Sequence, residues 1–503
     1  MSEIKRQSIL SSLYSYVGII LAAINTLILF PAALTTDQFG LISWILMIAS
    51  GVSMFARLGV PQITIKYFPY FRTENKEHNG FLSMALLVPF IGAIIASFSL
   101  FLFQDFLVSF YAKPESQALI SNFYFLLFPV LIFDIFFNTL NAYTTSLNKA
   151  SVIIFFRDLF VRLCITILLL LCWKGVFNYQ TFLYLYCSVY GLQSIGVLFY
   201  LFRAGQLKFN FNFSIFKLHG FDMMKYGAFA LLSGGAAFIT NYIDKMMVSV
   251  MDANELGALA IFTVFSYLGI VIMVPSKSIV QVTLPTVATA WKDNNLKAID
   301  NIYKKTAITQ LVIGLGLFIV VMANLDNFIE LLATVKGNNS YAAGKYVALF
   351  IGLARLIDGA TGVNGTIILT SDYYRYDLLF TILLIGLSVV TNFYLISNFG
   401  LTGAAVATCI VAAVYNAIKF FFLKYKFDLQ PFSINTVKTI ILGLAVLAIN
   451  YILPDLNIHF IFDVIYRSAI LGLIYGGLVF YLNLSPDITK LIKQILRKAK
   501  FIK

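Results

Sequence analysis

The sequence predicts an all-α polytopic membrane protein of about fourteen transmembrane helices. It reads as two six-helix bundles related by a pseudo-two-fold axis along the membrane normal, followed by two further helices. Three observations predict this. Hydrophobic residues make up 60% of the 503 residues and charged ones 12%, against roughly 45–50% and 25% in soluble chains, and mean hydropathy is +0.86. Apolar runs of bilayer-crossing length recur with short polar breaks. Short segments of the first half return in the second at a nearly constant offset.

The runs place spans at 9–34, 39–67, 81–104, 117–145, 152–173, 180–202 and 224–251. Those at 257–290, 305–329, 342–371, 377–397, 401–423, 437–453 and 462–482 follow. The first begins after only Lys5 and Arg6, is too long for a signal-peptide core and lacks a small-residue cleavage site, so it reads as a retained helix. The stretch "NFGLTGAA" supplies the turn between the eleventh and twelfth spans. Several spans exceed the bilayer thickness, which predicts tilt or kinks. Pro31, Pro61, Pro89, Pro129, Pro275 and Pro285 lie inside spans and can supply them.

Charge orients the chain. With the N-terminus in the cytoplasm, 26 of the 36 Lys and Arg fall at cytoplasmic ends and loops. Only Lys113, Lys174, Lys336 and Lys345 fall outside, and Arg57, Arg162, Lys245, Lys277, Arg355 and Arg467 stay within spans. Both termini are expected inside, and the helix count is even. Most of the net charge of +13 is therefore topological, and nucleic acid is not an expected partner. The tail "DITKLIKQILRKAKFIK" alternates Ile and Leu with Lys and Arg at helical spacing. It reads as an amphipathic helix on the anionic inner leaflet, or else as a solvated basic tail.

Catalysis finds little support. His78, His219 and His459 are far apart in loops, no P-loop is present, and no soluble segment is long enough for an ATPase domain. Cys164, Cys172, Cys187 and Cys409 sit in apolar runs without metal-ligand or disulfide spacing. No enzyme, cofactor or metal is expected. Transport remains.

The internal repeat rests on matched segments. "DQFGLISW" and "NELGALAI" open the second and eighth spans, with Gly40 opposite Gly257, 217 residues apart. "PQITIKYFP" resembles "VQVTLPTVA", with Gln62 opposite Gln281 at 219. "LNKASVIIFFRDL" and "LTSDYYRYDLLF" lie 222 apart by Leu147 and Leu369. The organisation expected is an N-terminal bundle over 1–203, a cytoplasmic linker over 204–223 and a second bundle over 224–426. The added helices occupy 427–483, and the basic tail 484–503.

Two segments carry a family resemblance. "LTTDQFGLISWILMIASGVSMFARLGVPQITIKYF" resembles the start of the polysaccharide-synthesis family of membrane proteins. The stretch "NYIDKMMVSVMDANELGALAIFTVFSYLGIVIMVPSKSIVQVTLPTVA" resembles it more specifically, through an Asp-basic pair, a Glu-Leu-Gly turn and a Pro before a Val-Thr-Leu-Pro exit. That family lies within the multidrug, oligosaccharidyl-lipid and polysaccharide exporter superfamily, with Wzx-type O-antigen flippases as typical members. The resemblance implies two bundles flanking a central cavity, alternating access, and a bacterial inner-membrane location. It also implies translocation of an undecaprenyl-pyrophosphate-linked oligosaccharide to the periplasmic leaflet, where glycan polymerase or ligase machinery would take it. Lipid II flippases share the helix count, but the arginine cluster expected near the start of their first helix is missing, since Arg6 is the only one before Arg57. A cation-coupled multidrug antiporter of the same superfamily would want an acidic cavity, and the intramembrane charges here are largely basic. A membrane-embedded glycan ligase or polymerase would want a long outer loop.

Candidate site residues follow from the cost of charge in a membrane. Arg57 and Lys277 lie at matching heights in repeat-related spans, where two cations suit a pyrophosphate. The alternative for Arg57 is snorkelling to the headgroups or pairing with a structural carboxylate. Arg355 could read an anionic sugar or phosphate. Asp134 falls opposite position 356, and Arg355 and Asp358 share one helix face. Asp134 and Asp358 are therefore either carriers of a coupling proton or sodium ion, or members of static ion pairs. Asp244 and Lys245 match the family pattern and suit a gate or interface. Arg162 suits helix packing, and Arg467 the membrane interface.

Overall fold

The computed structural model describes residues 3–74, 77–211, 216–454 and 460–498. Residues 212–215 of the expected linker, His459 and tail residues 499–503 lie outside them. The described residues form helices joined by turns, with no strand. Ten segments are long and apolar enough to cross a membrane, and Ile434–Asn450 is a shorter apolar helix. Fourteen expected spans and ten long segments are reconciled by local geometry. Spans 377–397 and 401–423 share Tyr374–Phe427, which breaks at Gly400 (φ 53°, ψ −136°), inside the expected turn. Span 152–173 is interrupted by the π-helix Phe155–Phe160, and span 224–251 lies in the less apolar Phe216–Met251.

The chain divides into two compact units, Met1–Ala260 and Ile261–Lys503. In the first, α1 (Glu3–Ile24) continues through a π-helix, Asn25–Leu29. Helix α2 (Thr36–Ala56) opens with a capping box in which the Thr35 hydroxyl accepts from the Gln38 amide and the Gln38 side chain accepts from the Thr35 amide. It ends at Arg57, because Leu58 (φ 49°) and Gly59 (φ 73°) turn the chain before α3 (Val60–Phe71). The expected second span is thus two helices meeting at Arg57. Next come α4 (Phe81–Leu102), α5 (Leu127–Ser146), α6 (Val161–Trp173), α7 (Tyr179–Arg203) and α8 (Phe216–Met251).

Helix α5 is the axis of this unit, since α2, α3, α4 and α7 all pack on it. Phe68, Phe71, Phe81, Leu140, Tyr143 and Val197 fill the joint at essentially zero exposure. Between helices in lipid, such close contact supplies the attraction that water would otherwise drive. One face of the middle of α5 is therefore turned into the bundle, and a polar residue there is at least half-buried. Asp134 is such a residue.

In the second unit, α9 (Glu255–Lys292) enters from the first, followed by α10 (Leu296–Ala323) and α11 (Lys345–Ala360). A turn at Thr361–Val363 leads to the short α12 (Asn364–Leu369) and the long α13 (Tyr374–Phe427). The expected tenth span is thereby broken in its second half. The two added helices, α14 (Ile434–Asn450) and α15 (Phe460–Tyr481), dock on α10, where the Tyr475 hydroxyl donates to the Val312 carbonyl at 2.9 Å. The tail helix α16 (Pro486–Lys498) follows, with Ile488 packed against the same core.

Candidate functional site

In each unit a polar cluster stands at a helix break. In unit 1 Arg57 caps the C-terminus of α2, its backbone amide still donating to the Ser53 carbonyl at 3.1 Å. Its Nε donates to the Ser53 carbonyl at 3.2 Å, and the Ser53 hydroxyl donates to the Asp134 carboxylate. Arg57 is the positive charge acting on Asp134. The Asn138 amide, one turn along α5, donates to the Asp134 carbonyl at 2.8 Å. A cation placed where the sequence looks like hydrocarbon thus has a carboxylate neighbour with Ser53 as intermediary, as an intramembrane charge requires.

Asp134 also lines a cavity of about 360 Å³ within unit 1, with Asn25, Phe30, Arg162, Tyr186 and Gln193 among its walls. Two of those walls are π-helical, Asn25–Leu29 and Phe155–Phe160, a winding that concentrates at functional sites. Side chains tie the first of them to α6 and the second to α1. The Asn25 amide donates to the Arg162 carbonyl at 3.1 Å, and the Thr166 hydroxyl donates to the Asn25 side-chain oxygen at 2.8 Å. Arg157 pairs with Asp158 at 2.9 Å, and Ser15 donates to that carboxylate at 3.2 Å.

In unit 2 the cluster surrounds Asp358. Arg355 Nη1 donates to one carboxylate oxygen at 3.2 Å, and Asn416 Nδ2 donates to the other at 2.7 Å. The Asn416 oxygen accepts from Thr361 at 2.7 Å and from Asn364 at 2.9 Å, so one amide of α13 spans the break between α11 and α12. Lys419, one turn further, is only 5% exposed. It pairs with Asp377 at 2.8 Å, lies 4.2 Å over the Tyr415 ring, and adds its charge to the field at Asp358.

The structure brings Arg57 to Asp134 and Arg355 to Asp358, and sets Arg162 on the cavity that Asp134 lines. Sequence reasoning assigns Arg162 a helix-packing role at a lower rank than the other candidates. Lys277 is exposed on α9, with no ion pair among the described residues, and Asp244 and Lys245 are half-buried near the C-terminal end of α8. Arg467, expected near an outer membrane interface, is buried against protein, paired with Asp463 at 2.7 Å, and its Nη1 donates to the Asn450 side chain at 3.0 Å. Sequence reasoning missed Asn416, Lys419 and Asp377. Sorting Lys419 with the cytoplasmic charges hid it, although its spacing of three from Asn416 places both on one face of α13. Among the described residues no three His, Cys, Asp or Glu are grouped to hold a metal, and the cysteines are free.

A family model described as "Polysaccharide biosynthesis protein" matches residues 5–291, more than half of the chain. Among solved structures, that of the lipid II flippase MurJ in an inward closed conformation has a TM-score of 0.70 at 15% identity, covering 95% of this chain and 99% of its own. An inward-facing multidrug-resistance MATE family transporter of the MOP superfamily has a TM-score of 0.59 at 15% identity, covering 82% and 94%. A MOP superfamily transporter from Pyrococcus furiosus, described as having a binding pocket of reverse polarity, gives 0.51 at 16%, covering 84% and 95%. At these identities the likeness establishes the fold. A search of curated protein sequences gave no match. The family and the structural relatives are transporters and flippases rather than enzymes.

Proposed function

The chain belongs to the polysaccharide biosynthesis protein family, and from that premise we propose that it is a flippase for an undecaprenyl-pyrophosphate-linked oligosaccharide. It would carry the glycolipid by alternating access from the cytoplasmic to the periplasmic leaflet of a bacterial inner membrane, with both termini in the cytoplasm. Glycan polymerase or ligase machinery would then use it for O-antigen, capsule or exopolysaccharide. The observation that carries this reading is the set of cations Arg57, Arg162, Lys277 and Arg355 in otherwise apolar spans of a polysaccharide-family protein with a flippase-like fold. An anionic lipid-linked substrate uses such cations, and a cationic drug does not.

Arg57 and Lys277 are the proposed pyrophosphate contacts, and Arg355 a further anion contact. Asp134 and Asp358 are the proposed carriers of a coupling proton or sodium ion. Asp358 is held by Arg355 and Asn416, and Asp134 by the Ser53 hydroxyl beside Arg57, so gain or loss of one positive charge would change what holds each helix. Asp244 and Lys245 are assigned to gating.

The test is deletion of the gene followed by mass spectrometry of extracted lipids, with rescue by wild type and by an Arg57→Ala, Lys277→Ala double variant. Trapped undecaprenyl-pyrophosphate oligosaccharide, cleared by wild type and not by the double variant, supports the reading. Unchanged glycolipids with no second exporter in the strain would move drug or ion transport to the front. A trapped lipid II would name the peptidoglycan precursor as substrate.

A further inference from the structure

The cavity inside unit 1 is chemically mixed. Phe30, Tyr186 and Tyr190 give it ring surface, and Asn25, Gln193 and Arg162 give it amides and a guanidinium. Most of its charges are already answered. Arg157 is taken by Asp158, and Asp134 by Ser53 and the charge of Arg57. Arg162 is different. Its Nη1 is buried beside Gly18 of α1 with no hydrogen-bond partner, the side chain as a whole is half-buried on the cavity wall, and among the described residues no carboxylate lies within ion-pair distance of it. Arg162 and Asp134 both line the cavity, and among the described residues no ion pair joins them.

An unanswered guanidinium in a spanning segment is costly, and such groups mark ligand paths. The π-helical walls point the same way, because that winding is retained where a site needs it. Aromatic faces beside hydrogen-bonding groups suit a ring that is apolar on its flat side and polar at its rim. A volume of about 360 Å³ stands at the low end of small-molecule pockets, enough for one sugar ring and too little for an oligosaccharide.

We propose that this cavity is a subsite for a single acidic sugar residue. Its carboxylate lies on Arg162, its hydroxyls on Gln193 and Asp134, and its ring against Tyr186 and Tyr190. The assignment rests on the saccharide reading above and narrows it to glycans containing a uronic acid or a similarly carboxylated sugar. An oxyanion on Arg162 could also come from phosphate, and the test separates the two sources.

The purified protein in zwitterionic nanodiscs is titrated with methyl β-glucuronide, methyl β-glucoside and inorganic phosphate, with binding read by saturation-transfer NMR and by competition. The glucuronide should bind at least tenfold more tightly than the glucoside. Arg162→Gln should abolish that preference, and Arg162→Lys should keep part of it. Gln193→Ala should weaken both sugars together, which holds the test open if Arg162→Gln does not fold. Equal binding of the two glycosides, an Arg162→Gln variant that keeps the preference, or binding of phosphate alone overturns the proposal. Trapped glycolipid in the deletion strain without glucuronide binding removes the subsite and leaves the flippase. Glucuronide binding with unchanged glycolipids removes the flippase and leaves the subsite.

Discussion

The side-chain amide of Asn416 donates to Asp358 at 2.7 Å while its oxygen accepts from Thr361 and Asn364. One side chain of α13 therefore holds the carboxylate of α11 and both sides of the break that follows it. Asn416→Leu leaves Asp358 short of a donor and the Asn364 amide without its acceptor in a nearly dry joint, while the Thr361 hydroxyl falls back on the Asp358 carbonyl at 3.0 Å. Stability should fall by about 2 kcal/mol, between the cost of an orphaned buried group and the smaller values measured for hydrogen bonds within membranes. Thermal unfolding in detergent reads this, and an unchanged midpoint would show that water replaces the amide.

Asp134 is tied to Ser53 in a bundle whose tight packing lies elsewhere, at Phe68, Phe81 and Tyr143. Asp134→Asn keeps the shape, can still accept from Ser53, and removes only the ionisable group. The melting temperature should stay within a few degrees of wild type while glycolipid clearance falls at least tenfold. Clearance at the wild-type rate would make the Arg57–Asp134 neighbourhood structural.

Arg467 and Asp463 form a buried pair one turn apart on α15, completed by Asn327 and Asn450. Removing one partner leaves the other charge uncompensated, at a cost of about 3–5 kcal/mol, whereas removing both costs much less. Arg467→Met alone should therefore be expressed poorly, and Arg467→Met with Asp463→Leu should recover most of the folded yield in size-exclusion profiles. A double variant worse than the single would show that the pair itself fixes α15.

That residue also shows what was legible in the sequence. Hydropathy found the helices because a bilayer demands about twenty apolar residues per crossing, and the Gly400 break was readable from "NFGLTGAA". Charge counting found Arg57, Asp134, Arg355 and Asp358, because a charge inside an apolar run stands out in one dimension. It could not supply the partners. Arg467 looked interfacial by depth alone, although Asp463 four residues earlier offered a same-face pair. Asn416 carries no charge, so nothing in a hydropathy profile distinguishes it from any other amide. The cavity beside Arg162 arises from α1, α5, α6 and α7 together, and the π-helical winding of its walls leaves no periodic mark.

Gly59 sets the position of Arg57. At φ 73° it occupies the left-handed region, and a Cβ there would lie 2.4 Å from the Gly227 carbonyl oxygen of α8. Gly59→Ala therefore meets two penalties: backbone strain of about 1–2 kcal/mol and a contact with backbone that cannot rotate away. The easiest relief is to shift the α2–α3 turn, which moves Arg57 off the Ser53 carbonyl. Gly59→Ala should lower the melting temperature and also reduce glycolipid clearance, although it removes no polar group. A Gly227→Ala control separates the two effects. The Cβ it adds meets the flexible end of Ile63 at 2.6 Å, which can give way, and the Leu58 carbonyl of the turn only at 3.3 Å, so this variant should lose less stability and keep more of the transport. Equal loss of transport in both would mean that contact with α8, rather than the placement of Arg57, is what the turn protects.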